Sequence, residues 1–165
     1  MRKLVLILIL ISLPLFAKNT ISQNAYAKLQ KSQKLIEVKK TKEAKEILKA
    51  LLASSKNAME RTYAYQGLAG MEMDKSNYKQ VIKYYEKIVL LNALEKQDLN
   101  SINFSLAQLY LNEEQYKKAI LKANKLSEDK DFDKSRLYET FALAYYYSKK
   151  YKKSLSYIKN TINLK

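Results

Sequence analysis

Apolar positions along the chain recur three and four residues apart, in paired segments that follow one another at a nearly constant distance. One set runs Tyr65, Leu68, Ala69, then Tyr78, Val81, Ile82, Tyr85. A second runs Leu106, Ala107, Tyr110, then Tyr116, Ala119, Ile120, Ala123. A third runs Tyr138, Phe141, Ala142, Tyr145, then Tyr151, Ser154, Leu155, Ile158. Because an α-helix turns once in about 3.6 residues, this spacing gathers such side chains on one helical face. Each set predicts two helices joined by a short polar break. The tyrosines that open the second helices, Tyr78, Tyr116 and Tyr151, lie 38 and 35 residues apart. Self-similarity at that period predicts stacked helical hairpins, each burying its stripe against the next.

Punctuation supports the same reading. Pro14 is the only proline, and Gly67 and Gly70 both fall inside one helical pattern. A β fold needs turn residues between its strands, and this chain has almost none, so the expected class is all-α. In the last unit Ala142 and Ser154 are small enough to let two antiparallel helices approach, with Tyr138 and Tyr145 filling the space beside them. Tyr151, Ser154, Leu155, Ile158 and Ile162 are expected on one stripe of the second helix. After Leu91 the spacing stretches, and residues 92–100 either prolong a helix or form a longer loop.

These residues resemble the tetratricopeptide repeat, whose pattern of an aromatic, a Leu-Gly pair, Tyr, a small residue and Phe is partly met. Tyr138, Phe141-Ala142, Tyr145, Ser154 and Ile158 stand in those places, and Leu106-Ala107, Tyr110, Ala119 and Ala123 repeat them. Tyr65, Leu68-Ala69, Val81 and Tyr85 do so again. A degenerate first unit keeps Leu35, Ala44, Leu48 and Leu51, with Ser32 in the small place. The resemblance implies a right-handed α-solenoid of about four helix pairs, at about 24–55, 58–92, 100–129 and 135–165. Two departures stand out: no unit ends in proline, and Glu72 occupies the slot of Tyr110 and Tyr145.

The first residues read differently. Arg2 and Lys3 precede an apolar run of 13 residues from Leu4 to Phe16, and Ala17 offers a small residue for cleavage. This is the pattern of a secretory signal peptide, 1–17. The run is short of the roughly 20 residues a spanning helix needs, and an uncleaved inner-membrane anchor is the alternative. With no cysteine to lipidate, a lipoprotein is excluded. The expected location is exported, in the periplasm. Residues 18–165 then carry 29 basic and 16 acidic side chains, a charge of +13.

The chain has no His and no Cys. That removes the commonest general base, the best nucleophile and most zinc ligands, and no enzyme activity, cofactor or metal is expected. Glu72, between Met71 and Met73, is the one acid expected near a packing face. It is read either as a buried carboxylate with a raised pKa or as one that a small helical rotation lets reach water. Asp129, Asp131 and Asp133 begin like a calcium loop, but Lys134 replaces the glycine and Thr140 the bidentate Glu. They read as a turn, with Asp133 or Ser135 capping the next helix.

Partner surfaces follow from the repeat. The resemblance places the first helix of each pair along a concave groove, whose off-stripe residues are Tyr63, Gln66, Met73, Phe104, Gln108, Leu111, Asn112, Arg136, Glu139, Leu143, Tyr146 and Tyr147. Of these, Phe104, Leu143, Tyr146 and Tyr147 are large residues that packing within one repeat does not require, hence candidate anchors for a protein or peptide. The alternative is that Tyr146 and Tyr147 pack against neighbouring units. Slots that clamp a peptide carboxylate in chaperone-binding relatives hold Leu29, Gln33, Gln66, Gly70, Phe104 and Gln108, so that ligand is not expected. Lysines crowd the turns, notably Lys117, Lys118, Lys149, Lys150, Lys152 and Lys153. They form a basic edge for an anionic envelope surface or else reflect a lysine-rich composition. With only three arginines, nucleic acid is not an expected partner. Leu155, Ile158 and Ile162 lack a following helix, which suggests an open end for self-association or a partner.

Overall fold

The computed structural model describes residues 21–162, which form eight α-helices and, among the described residues, no strand. They are α1 (Gln23–Glu37), α2 (Thr41–Ser54), α3 (Ala58–Met73), α4 (Tyr78–Leu91), α5 (Lys96–Asn112), α6 (Tyr116–Ser127), α7 (Lys134–Tyr147) and α8 (Tyr151–Ile162). The proposed signal segment lies outside the described residues. No described helix is long and apolar enough to cross a membrane. The stretched spacing after Leu91 resolves into a left-handed residue, Asn92, a brief loop and an α5 that starts at Lys96.

The helices pair as hairpins, and one turn is used four times. Lys40, Asn77, Gln115 and Lys150 donate their N–H groups to the carbonyls of Leu35, Glu72, Tyr110 and Tyr145, five residues back. Lys39, Ser76, Glu114 and Lys149 donate to Ile36, Met73, Leu111 and Tyr146, three residues back. That double bond pattern closes the last carbonyls of a helix when the penultimate turn residue is left-handed. These four residues have φ between 56° and 60°, and none is glycine. The opposite ends are held by side chains. Ser22, Asn57 and Asp133 cap α1, α3 and α7 through the backbone N–H groups of their first turns, and Asp133 is one of the two caps expected from sequence.

Helices in extensive contact are never more than two apart in chain order. Each helix packs on the next, and α1 touches α3 while α5 touches α7. The buried side chains fall in three successive clusters: Ala44, Leu48, Ala64 and Leu68; Ala69, Val81, Ile88, Leu106 and Tyr110; Ala123, Leu126, Leu137 and Phe141. This is a repeat-like helical architecture in which each layer is buried by its neighbours. Small residues set the spacing. Ala44, Val81, Ala119 and Ser154 occupy equivalent places in the second helices, all buried. Ser154 Oγ donates to the Ala142 carbonyl at 2.8 Å, so the last two helices touch where the small residues stand. At Gly67 an added Cβ would lie 2.9 Å from Leu48 Cδ1, so a larger residue there would push the Leu48 side chain aside where α3 meets α2.

Candidate functional site

Contacts set α1 beside α3 and α5 beside α7, and the predicted groove residues lie on α3, α5 and α7. Asn112, Arg136, Glu139, Leu143, Tyr146 and Tyr147 are exposed, while Tyr63, Gln66, Met73, Phe104, Gln108 and Leu111 are half-buried. Tyr63 packs on the first cluster, Met73 and Leu111 on the second. Phe104 is not a free anchor. Its ring meets Phe132 at 5.6 Å, and the Arg136 guanidinium lies over it at 4.1 Å, so it is held between hairpins. A sequence stripe drawn within one repeat cannot show such a partner. Gln108 Nε2 donates to Thr140 Oγ1 at 2.9 Å and ties α5 to α7. Gln66 Oε1 is buried with no hydrogen-bond donor.

Glu72 is buried, as the first reading expects, but its pKa moves the opposite way. Its residue is only 5 % exposed, so it does not reach water, yet it is not a neutral acid. Lys45 Nζ from α2 donates to Oε1 at 2.8 Å, Asn77 Nδ2 donates to Oε2 at 2.9 Å, and Lys75 Nζ stands 3.9 Å away. These bonds, that from Lys45 first, hold its carboxyl below the usual carboxylate range against the effect of burial. The same slot in α5 holds Tyr110, whose hydroxyl donates to Glu86 of α4. Burial, reinforced by Glu86, pushes the Tyr110 hydroxyl well above its ordinary value. In both layers the slot carries a polar group that reaches back to the preceding hairpin.

Glu60, also buried, was missed by the sequence reading. It accepts the Ser22 N–H at 2.8 Å and the Ser55 hydroxyl, which joins the first hairpin to the second. Burial opposes its ionisation, but the bonds from Ser55 and Ser22 together outweigh that and leave its pKa lowered. Only its place four residues before Ala64, on the inward face, hinted at burial. Among the acidic turn residues, Asp129 accepts from Lys96 Nζ at 2.9 Å and from Asn100. Among the described residues, no group of three potential ligands is placed to hold a metal.

The basic edge is where the turns meet. Lys117, Lys118, Lys149, Lys150, Lys152 and Lys153 are all exposed. Lys79 Nζ lies 4.0 Å from Glu113, and Tyr116 stacks on Tyr147 at 5.7 Å, so consecutive turns are neighbours. Tyr147 therefore leans on the preceding hairpin, as the alternative reading held, though more than half of it stays exposed. Tyr146 meets Tyr147 edge-on at 5.5 Å and Tyr151 at 5.6 Å, which extends a run of rings onto α8.

The apolar stripe of α8 faces mostly solvent. Ser154 is its one buried residue, while Tyr151, Leu155, Ile158 and Ile162 are 58 %, 53 %, 44 % and 65 % exposed. The ring that fills the seam is Tyr157, 4.7 Å from Phe141, 5.6 Å from Tyr145 and 5.9 Å from Tyr138. Its spacing of three from Ser154 was the available signal. With Tyr157 in the seam, Leu155, Ile158 and Ile162 stand on the outer side of α8.

Compared with protein-family models, curated proteins and solved structures, the chain matches none of them.

Proposed function

We propose that this protein is an exported, tetratricopeptide-like solenoid that acts as a non-enzymatic scaffold in the periplasm, binding a protein or peptide along the face of its odd-numbered helices. The observation that supports the reading is neighbour-only packing: each hairpin is buried by the ones beside it, as expected of a stack that presents an extended surface. Along that surface Leu143 and Tyr146 are exposed and large enough to serve as anchors. Export rests on the pattern of Arg2, Lys3, the apolar run to Phe16 and Ala17.

A photo-crosslinker placed at Gln108 or Leu143 in intact cells tests it. A discrete adduct with one partner, kept at raised ionic strength and lost on Leu143→Asp, is the expected result. Adducts that are absent, or unchanged by Leu143→Asp, would remove the groove from consideration.

A further inference from the structure

The outer flank of α8 gathers apolar and basic side chains on one exposed face. At about 100° per residue, Tyr151, Leu155, Ile158 and Ile162 fall within about 60° of arc. That stripe stands beside the buried seam made by Ser154 and Tyr157, and it faces solvent. Lys152 and Lys159 fall along its outer border, and Lys149 and Lys150 sit at its N-terminal end. From residue 140 to 165 the sequence has six lysines and no acidic residue. The lysines are also placed against local electrostatics, because α8 has no acid in its first turn and its N-terminal end carries partial positive charge.

We propose that this flank docks α8 flat on the surface of an anionic lipid bilayer, with the aliphatic side chains and the Tyr151 ring entering the headgroup boundary. Three observations select that occupant. A solvent-facing apolar stripe bordered by lysine is the build of a helix that lies in a membrane interface. Tyrosine, apolar in its ring and polar at its tip, suits the same depth, and Tyr146 continues the ring surface from α7. The positive border complements anionic headgroups, whereas a second copy docking the same face would bring like charges together. A protein anchor is usually received in a pocket, and this flank is one side of a bare helix. Tyr146 borders both this stripe and the groove, but Gln108 and Leu143 lie on other helix faces than Leu155, Ile158 and Ile162, so either surface can fail alone.

The chain contains no tryptophan, so Tyr151→Trp supplies a single reporter on the stripe. Because the reporter sits on α8, adsorption through Leu4–Phe16 leaves its emission unmoved. Vesicles of equal parts phosphatidylglycerol and phosphatidylcholine should shift the emission to the blue, and pure phosphatidylcholine vesicles should not. Adding K150Q and K152Q to the reporter should weaken the apparent partitioning on the order of 30-fold, at about 1 kcal/mol per lysine. Both lysines are exposed, so the fold is retained and circular dichroism checks it. An emission that no vesicle moves overturns the proposal, as does an equal shift on both vesicle types. So does a dimer in light scattering that Ile158→Lys with Ile162→Lys disperses, since a second copy would then own the stripe.

Discussion

Individual residues carry two kinds of strain, one of backbone and one of charge. Lys39, Ser76, Glu114 and Lys149 hold left-handed backbone with a Cβ present, a conformation that disfavours L-residues by roughly 1–2 kcal/mol. Glycine removes that crowding but loses more chain entropy on folding. Ser76→Gly or Glu114→Gly should therefore raise stability by about 0.5–1 kcal/mol, read as a higher denaturant midpoint with unchanged slope. The buried charge behaves differently. Glu72 has a folded pKa below its unfolded value of 4.5, so its contribution is complete above that pH and fades as pH falls through the folded value. Glu60 and Asp129 have lowered pKa values too and act in the same direction. Stability should decline on acidification from about pH 4.5 downward, and Glu72→Gln should flatten that decline while losing about 1–2 kcal/mol at neutral pH, measured by urea titrations across the range.

At the scale of an element, the two helices of the first and second hairpins begin in unlike ways, while α5 and α6 of the third both start without a side-chain cap. The first helices α1, α3 and α7 start on a side-chain cap, whereas α2, α4 and α6 leave the turn with no side-chain cap. In α6 and α8 lysines occupy the first turn instead of acids. The dipole at a helix N-terminus favours negative charge by about 0.3–1 kcal/mol, so Lys117→Glu should stabilise α6 by roughly that amount at low salt and by less at high salt. Thermal unfolding at two ionic strengths checks both parts. Equal melting temperatures for the variant and the parent at low salt would show that the dipole does not govern this edge.

Across the whole molecule, burial is least in the last helix. The middle layers contribute fully buried Leu68, Ile88, Leu106, Leu109 and Tyr110, while α8 buries one serine and leans on the Tyr157 ring. Local opening should cost least where few apolar contacts are broken. Amide hydrogen exchange is expected to be fastest in α8 among the eight helices and slowest in α3 to α6. Bound anionic vesicles should slow α8 selectively. Uniform protection from α1 to α8 would show that the last helix is held by something the described residues do not include.

By itself the sequence determined the helical class, the hairpin pairing, the four turns and the small residues where helices touch. These follow from spacing along one chain, since periods of three and four and short polar breaks are local properties. The tertiary structure alone decided which partner each side chain meets. Phe104 found Phe132 and Arg136, Glu72 found Lys45, and Tyr147 found Tyr116 because the rotation of one hairpin against the next sets those encounters. The same rotation turned Tyr157 into the seam and Leu155 and Ile162 out of it. A helix with two possible apolar stripes does not choose between them until a neighbour with aromatic rings is packed against one.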